Sequence, residues 1–167
     1  MRFSAVIIAL FSFYCVAFAQ TEERISDFRD IYWGTSLDST YRSGFKVNFT
    51  KDKTSSEQDA YSIPGDKMKI GSVDLNRINY IFNDEDKFYR VLLEGPKSQT
   101  NYMTFIIEHK FGDYKKEIID KTEVRTWTVQ DVKITMYLHE FRDFQVYFES
   151  DWEAAQAYEE NINVEDF

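Results

Sequence analysis

The pattern that constrains this chain most is a duplicated alternation. Ile78, Tyr80 and Phe82 of the segment Val73–Phe82 fall on Ile134, Met136 and Leu138 of Val129–Leu138, at an offset of 56 residues. After a turn, Tyr89–Glu94 falls on Phe144–Glu149 at an offset of 55, which suggests a second turn one residue shorter. Successive side chains of a strand point to opposite faces, so period-two patterns bounded by polar turns read as β-hairpins. The turns are Asn83–Lys87, polar and acidic, and Glu140–Asp143. Two such hairpins expose an apolar set that something else must cover.

A helix is expected ahead of each hairpin. Thr35 fits an N-cap, and Asp38 three residues on completes a capping-box pattern. Leu37 and Tyr41 then share a face, and Gly44 marks the stop. The second helix is expected over Thr100–Lys110, where Met103, Ile106, Ile107 and Phe111 keep helical spacing and Gly112 follows. Further extended segments are expected at Phe28–Trp33, Tyr61–Ile70 and Lys121–Gln130. The expected fold is therefore α+β: tandem α-β-β-β units forming an antiparallel sheet, with helices packed on one face.

Residues 1–19 read as a secretory signal peptide. Arg2 gives a basic start, Ala5–Phe18 is apolar but for Ser12, and Ala17-Phe18-Ala19 fits a cleavage site before Gln20. Ser12-Phe13-Tyr14 before Cys15 do not make a lipobox. The expected location is secreted or periplasmic, with no stable membrane insertion after cleavage. Residues 20–150 are expected to form one domain, its repeats spanning about 28–94 and 100–149. An acidic, partly helical tail is expected over 151–167.

The expected mature chain has no cysteine, which excludes thiol nucleophiles, thiolate metal sites and disulfides. Loss of Arg2 leaves 19 basic residues against 29 acidic, a net charge of −10. That balance disfavours nucleic acid, whose phosphates need a basic surface. A monomer without cofactors is expected.

The opening residues Phe28-Arg29-x-Ile31-x-Trp33-Gly34-Thr35-Ser36-Leu37 resemble the start of a group of small exported bacterial proteins with an F-R-x-I-x-W-G-T-S box. More distantly, the layout resembles the β-lactamase-inhibitor-protein fold and the SmpA/OmlA type of outer-membrane assembly lipoprotein. The resemblance implies a non-catalytic, protein-binding envelope module.

The alternation suggests where such binding would occur. If Ile134, Met136, Leu138, Phe144, Val146 and Phe148 face the helices, then Lys133, Thr135, Tyr137, His139, Gln145 and Tyr147 face outward. Arg77, Asn79, Ile81, Arg90 and Leu92 would share that outer face, and Arg125, Trp127 and Val129 are assigned to it as well. Aromatic anchors beside arginines are typical of protein-binding surfaces. The expected partner-binding set is Trp127, Tyr137, Tyr147, Arg77, Arg90 and Arg125, with the partner protein unidentified.

Two alternatives come from the same residues. Phe82, Met103, Phe105 and Phe144 would line a cavity between sheet and helices in a small-ligand or lipid carrier. His139 with Asp143 nearby would supply a base and its orienter in a hydrolase, though no nucleophile motif accompanies them. Trp33 is expected in the core, and the Asn83–Asp86 turn lacks the glycine and terminal glutamate of a calcium loop. Asn48-Phe49-Thr50 is an N-glycosylation sequon.

Overall fold

The computed structural model describes residues 25–151. The expected signal peptide and the tail beyond Asp151 lie outside the described residues. The described chain is mostly β, with 47% in strands and 14% helical. Eight strands form one antiparallel sheet: β1 (Thr50–Lys51), β2 (Ala60–Ser62), β3 (Arg77–Phe82), β4 (Phe88–Gly95), β5 (Lys115–Ile119), β6 (Thr122–Val129), β7 (Val132–Leu138) and β8 (Phe144–Ser150). Their order is β5-β6-β7-β8-β4-β3-β2-β1. Each half of the chain is thus a four-stranded meander, and the halves join where β4 pairs with β8, Leu92 opposite Tyr147.

The expected α+β fold of tandem α-β-β-β units is overturned. Only the second half has a helix, α1 (Thr100–Phe111), entered through a 3₁₀ turn at Lys97–Gln99. The segment expected to form the other helix makes one 3₁₀ turn, Leu37–Ser39. Thr35 does not cap it; its hydroxyl donates to the Tyr32 carbonyl at 2.6 Å. The chain then doubles back in a short ladder, Tyr41–Arg42 against Phe45–Lys46. Ser43 and Gly44 make this reversal at φ 49° and 82°. A helix ending at Gly44 would run to little more than two turns, too short to hold without a strongly packed face.

The one-residue difference between the hairpins also has a different origin from the one expected. The connections 83–87 and 139–143 are equal in length. The extra residue is Tyr89, bulged out of β4 between Phe88 opposite Phe82 and Arg90 opposite Ile81. A bulge shifts alternation by one, so Phe88 and Arg90 land on opposite faces.

On one face of the sheet lies the main core. Ile78, Tyr80, Val91, Leu93, Ile134, Met136, Phe144 and Val146 are all buried there. Over the second half this face is covered by α1 through Met103 and Ile107. Over the first half the cover is irregular chain carrying Phe28, Ile31, Val47, Val73 and Leu75. Trp33 is part of this cover: it stacks on Phe88 at 4.7 Å and donates its indole N–H to the Ile25 carbonyl. Gly34, at φ 78°, lets its amide donate to the Phe88 carbonyl at 2.7 Å.

A buried ion cluster ties that irregular cover to the sheet. The carboxylate of Asp66 meets Arg42 at 3.0 Å and Arg29 at 3.2 Å, and accepts the Tyr80 hydroxyl at 2.7 Å. Arg29 also donates to the carbonyls of Lys67 and Lys69, and Arg42 to that of Arg29. Burial alone would raise the Asp66 carboxyl, but the Tyr80 hydroxyl and the two guanidiniums hold it below the usual carboxylate range. Tyr80 is pushed up, chiefly by burial and then by Asp66. These partners use most of the donors of both arginines, which marks the cluster as a structural lock.

Candidate functional site

Strand register decides which side chains share the outer face. From β4, β8 and β7 it presents Arg90, Leu92, Glu94, Gln145, Tyr147, Glu149, Lys133, Thr135 and Tyr137, as the cross-strand partners require. Arg77, Asn79 and Ile81 of β3 join them. Four of the six sequence-expected contact residues are therefore on this face: Tyr137, Tyr147, Arg77 and Arg90.

Trp127 and Arg125 are not. Trp127 lies opposite Ile134, and Arg125 opposite Met136, so both belong to the helix-covered face. Trp127 is 1% exposed, packs on Tyr114, and donates its indole N–H to the Gly112 carbonyl at 2.9 Å. Arg125 donates to the Thr104 hydroxyl of α1 at 2.6 Å, lies over the Tyr114 ring and pairs with Glu123. Their assignment to the outer face is overturned by the tight connection between β6 and β7. Val129 pairs with Val132 across a two-residue loop, which fixes every later pair and sends the odd-numbered residues of β6 inward.

The first half of the outer face is closed by the connection from β1 to β2. Residues 52–59 cross it as a strap over a small cluster of Ala60, Ile81 and Leu92 flanked by Tyr89 and Tyr147. The strap is fastened by charge. Asp52 accepts from Asn79 at 2.9 Å and lies 3.6 Å from Arg77, whose guanidinium also reaches the Thr54 hydroxyl. Glu57 pairs with Arg90 at 3.4 Å and accepts the Tyr147 hydroxyl at 3.1 Å. Arg77 further pairs with Glu94, and Arg90 with Glu149, each at 3.1 Å. The two arginines expected to greet a partner thus have partners within the chain.

The electrostatics follow from these contacts. The Asp52 carboxyl is held down at about 2, first by the Asn79 hydrogen bond and then by Thr54. Tyr147 is pushed up by burial and by the neighbouring Glu57 carboxylate. Asn79 Oδ1 and Arg90 Nε are buried without a hydrogen-bond partner.

The second half of the outer face is different. Thr126, Thr135, Tyr137 and Gln145 are half-buried, and Thr128 and Lys133 are exposed. Tyr137 stands at 87° to Tyr147, ring centroids 5.7 Å apart, at the border between the closed and open halves. Side chains on a paired, twisted sheet are rigidly spaced, so this open strip is a preformed surface of hydroxyls, the Lys133 ammonium and an aromatic edge, bordered on edge strand β5 by the exposed Lys115–Glu117 ion pair.

The groups named by the alternatives are placed apart. Phe82, Met103 and Phe144 are buried in the core, whereas Phe105 is 66% exposed and stacks on His109. These four do not line one cavity. His139 Nδ1 lies 3.3 Å from the Thr122 hydroxyl, while Asp143 binds Asn76 Nδ2 at 2.6 Å and the Lys97 amide at 3.3 Å. The expected His139–Asp143 pair is not formed. Asn83 uses its side chain to accept the amides of Glu85 and Lys87, closing the acidic turn. Among the described residues no group of three or more His, Cys, Asp or Glu is arranged to hold a metal. No described helix is long and apolar enough to cross a membrane. No family model, curated protein or solved structure matches this chain.

Proposed function

We propose that this chain is a non-catalytic protein-interaction module of the cell envelope or its surroundings, and that it binds through the open half of the outer sheet face. The observation that carries this reading is the unequal treatment of one face. Its first half is shut by a charged strap, and its second half is left as a rigid strip of Thr126, Thr128, Lys133, Thr135 and Tyr137. A strip of this kind offers polar contacts and an aromatic edge at little ordering cost, because strand pairing already fixes the side chains. The signal-peptide pattern at 1–19 and the likeness of the Phe28–Leu37 box to small exported proteins point the same way.

The test is capture from the native envelope or culture medium, with wild-type protein beside a Thr135→Arg/Tyr137→Ala variant. Both positions are on the solvent side of the sheet, so the variant should keep the wild-type circular dichroism spectrum. Loss of a captured partner by the folded variant supports the reading. Capture that is identical with both baits refutes this face.

A further inference from the structure

Where β7 ends and β8 begins, a cleft of about 250 Å³ opens between the start of α1 and the β7–β8 connection. Lys97, His139 and Arg142 line it, and no carboxylate does. That is unexpected in a chain with 29 acidic residues. Ser98, Thr100 and Asn101 add hydroxyl and amide donors on the helix side, while Leu138 and Phe144 give it an apolar wall. Arg142 is exposed and has no side-chain partner among the described residues. Lys97, also in the lining, holds the Glu140 carbonyl and lies over the Phe141 ring at 5.6 Å. His139 uses Nδ1 toward Thr122, leaving Nε2 uncommitted. Asp143, next to the lining residues Arg142 and Phe144, is tied to Asn76 and to the Lys97 amide. The Lys97, Gln99 and Thr100 amides at the helix entry are already served, and the side chains make the site.

We infer that this cleft binds a small organic carboxylate, with Arg142 as the principal anion contact, Lys97 supporting it, and the Leu138/Phe144 wall receiving a short alkyl body. A guanidinium offers parallel donors that match a carboxylate. The apolar wall favours an acyl or alkyl acid over a bare inorganic anion. The inference does not depend on the outer-face reading, since the cleft and the open strip share no residue.

The experiment is a ¹⁵N NMR titration of protein expressed from the full gene with its own leader, using butyrate, inorganic phosphate and chloride in parallel. Butyrate should give saturable shifts confined to the amides of Ser98, Asn101, His139 and Arg142, with Kd near 1 mM, as befits a small exposed site. Arg142→Gln should weaken binding about tenfold and Lys97→Gln by less, the spectra elsewhere staying unchanged. Non-saturating shifts, or shifts unaltered by Arg142→Gln, overturn the site. Phosphate binding as tight as butyrate overturns the ligand class.

Discussion

Replacing Trp127 with alanine should cost far more than the same change at Tyr137, although both aromatics lie on neighbouring strands of one hairpin. Trp127 is 1% exposed and its indole N–H satisfies the Gly112 carbonyl at 2.9 Å. Truncation opens a cavity between β6, Tyr114 and the end of α1 and orphans that carbonyl. Large-to-small changes of buried aromatics cost about 3–5 kcal/mol, so about 4 is expected here. Tyr137 is half-buried and keeps one ring contact, with Tyr147. Its truncation should cost about 1 kcal/mol, the scale of a single aromatic pair. Urea unfolding followed by tryptophan-independent circular dichroism separates the two: with a slope of about 2 kcal/mol per molar, the midpoints should fall by about 2 M and about 0.5 M. Because 4 kcal/mol approaches the total stability of many domains, Trp127→Phe serves as a milder companion and should still cost more than Tyr137→Ala. Equal costs, or a larger cost at Tyr137, would refute the register placing Trp127 inward.

Other expected outcomes follow from single contacts. A Cβ at Gly95 would sit 2.4 Å from Phe144 Cζ and 3.2 Å from the Asp74 carbonyl, so Gly95→Ala should lower the melting temperature, and Phe144→Leu should partly restore it by making room. Tyr80→Phe removes the hydroxyl that donates to Asp66 and accepts from Arg42, and should cost about 1–3 kcal/mol in the same unfolding assay. Asp52 has a folded pKa of about 2 against an ordinary 3.8, so its contribution is present above about pH 4 and is lost as pH falls toward 2. Wild type should therefore lose stability over that window faster than Asp52→Asn, as checked by urea midpoints at pH 2–5; parallel curves would mean the strap is not fastened through Asp52.

What could be read from residues alone follows burial. Strands β7 and β8 alternate because one face of each meets the core, whereas β3 and β4 also bury Ile81 and Leu92 on the strapped face; both hairpins sit where the duplicated pattern places them. Strand β5 had no such signal: Lys115–Ile119 is exposed along its whole length at the sheet edge, so neither face leaves a periodic mark. The capping pattern at Thr35 and Asp38 misled because the same residues serve a tight turn, and Leu37 packs on the core without helical neighbours. The facing of β6 was ambiguous by composition, since Val124, Thr126 and Thr128 suit a strand as well as Arg125, Trp127 and Val129 do. The decisive signal was loop length: a two-residue link at Gln130–Asp131 forces Trp127 opposite Ile134, which the alternation had already placed in the core. The strap gave no hint, because a polar loop of Asp, Lys, Thr and Ser looks the same whether it hangs in solvent or covers a face.

Photo-crosslinking from Thr135 probes the binding face most directly. A benzophenone side chain at Thr135, with a control at Lys110 on the helix side, would be activated in the native envelope or medium. A discrete protein adduct from Thr135 and none from Lys110 is expected if the open half of the sheet is the contact surface. Adducts from Lys110 alone, or from neither position under conditions where a partner is captured, would contradict it.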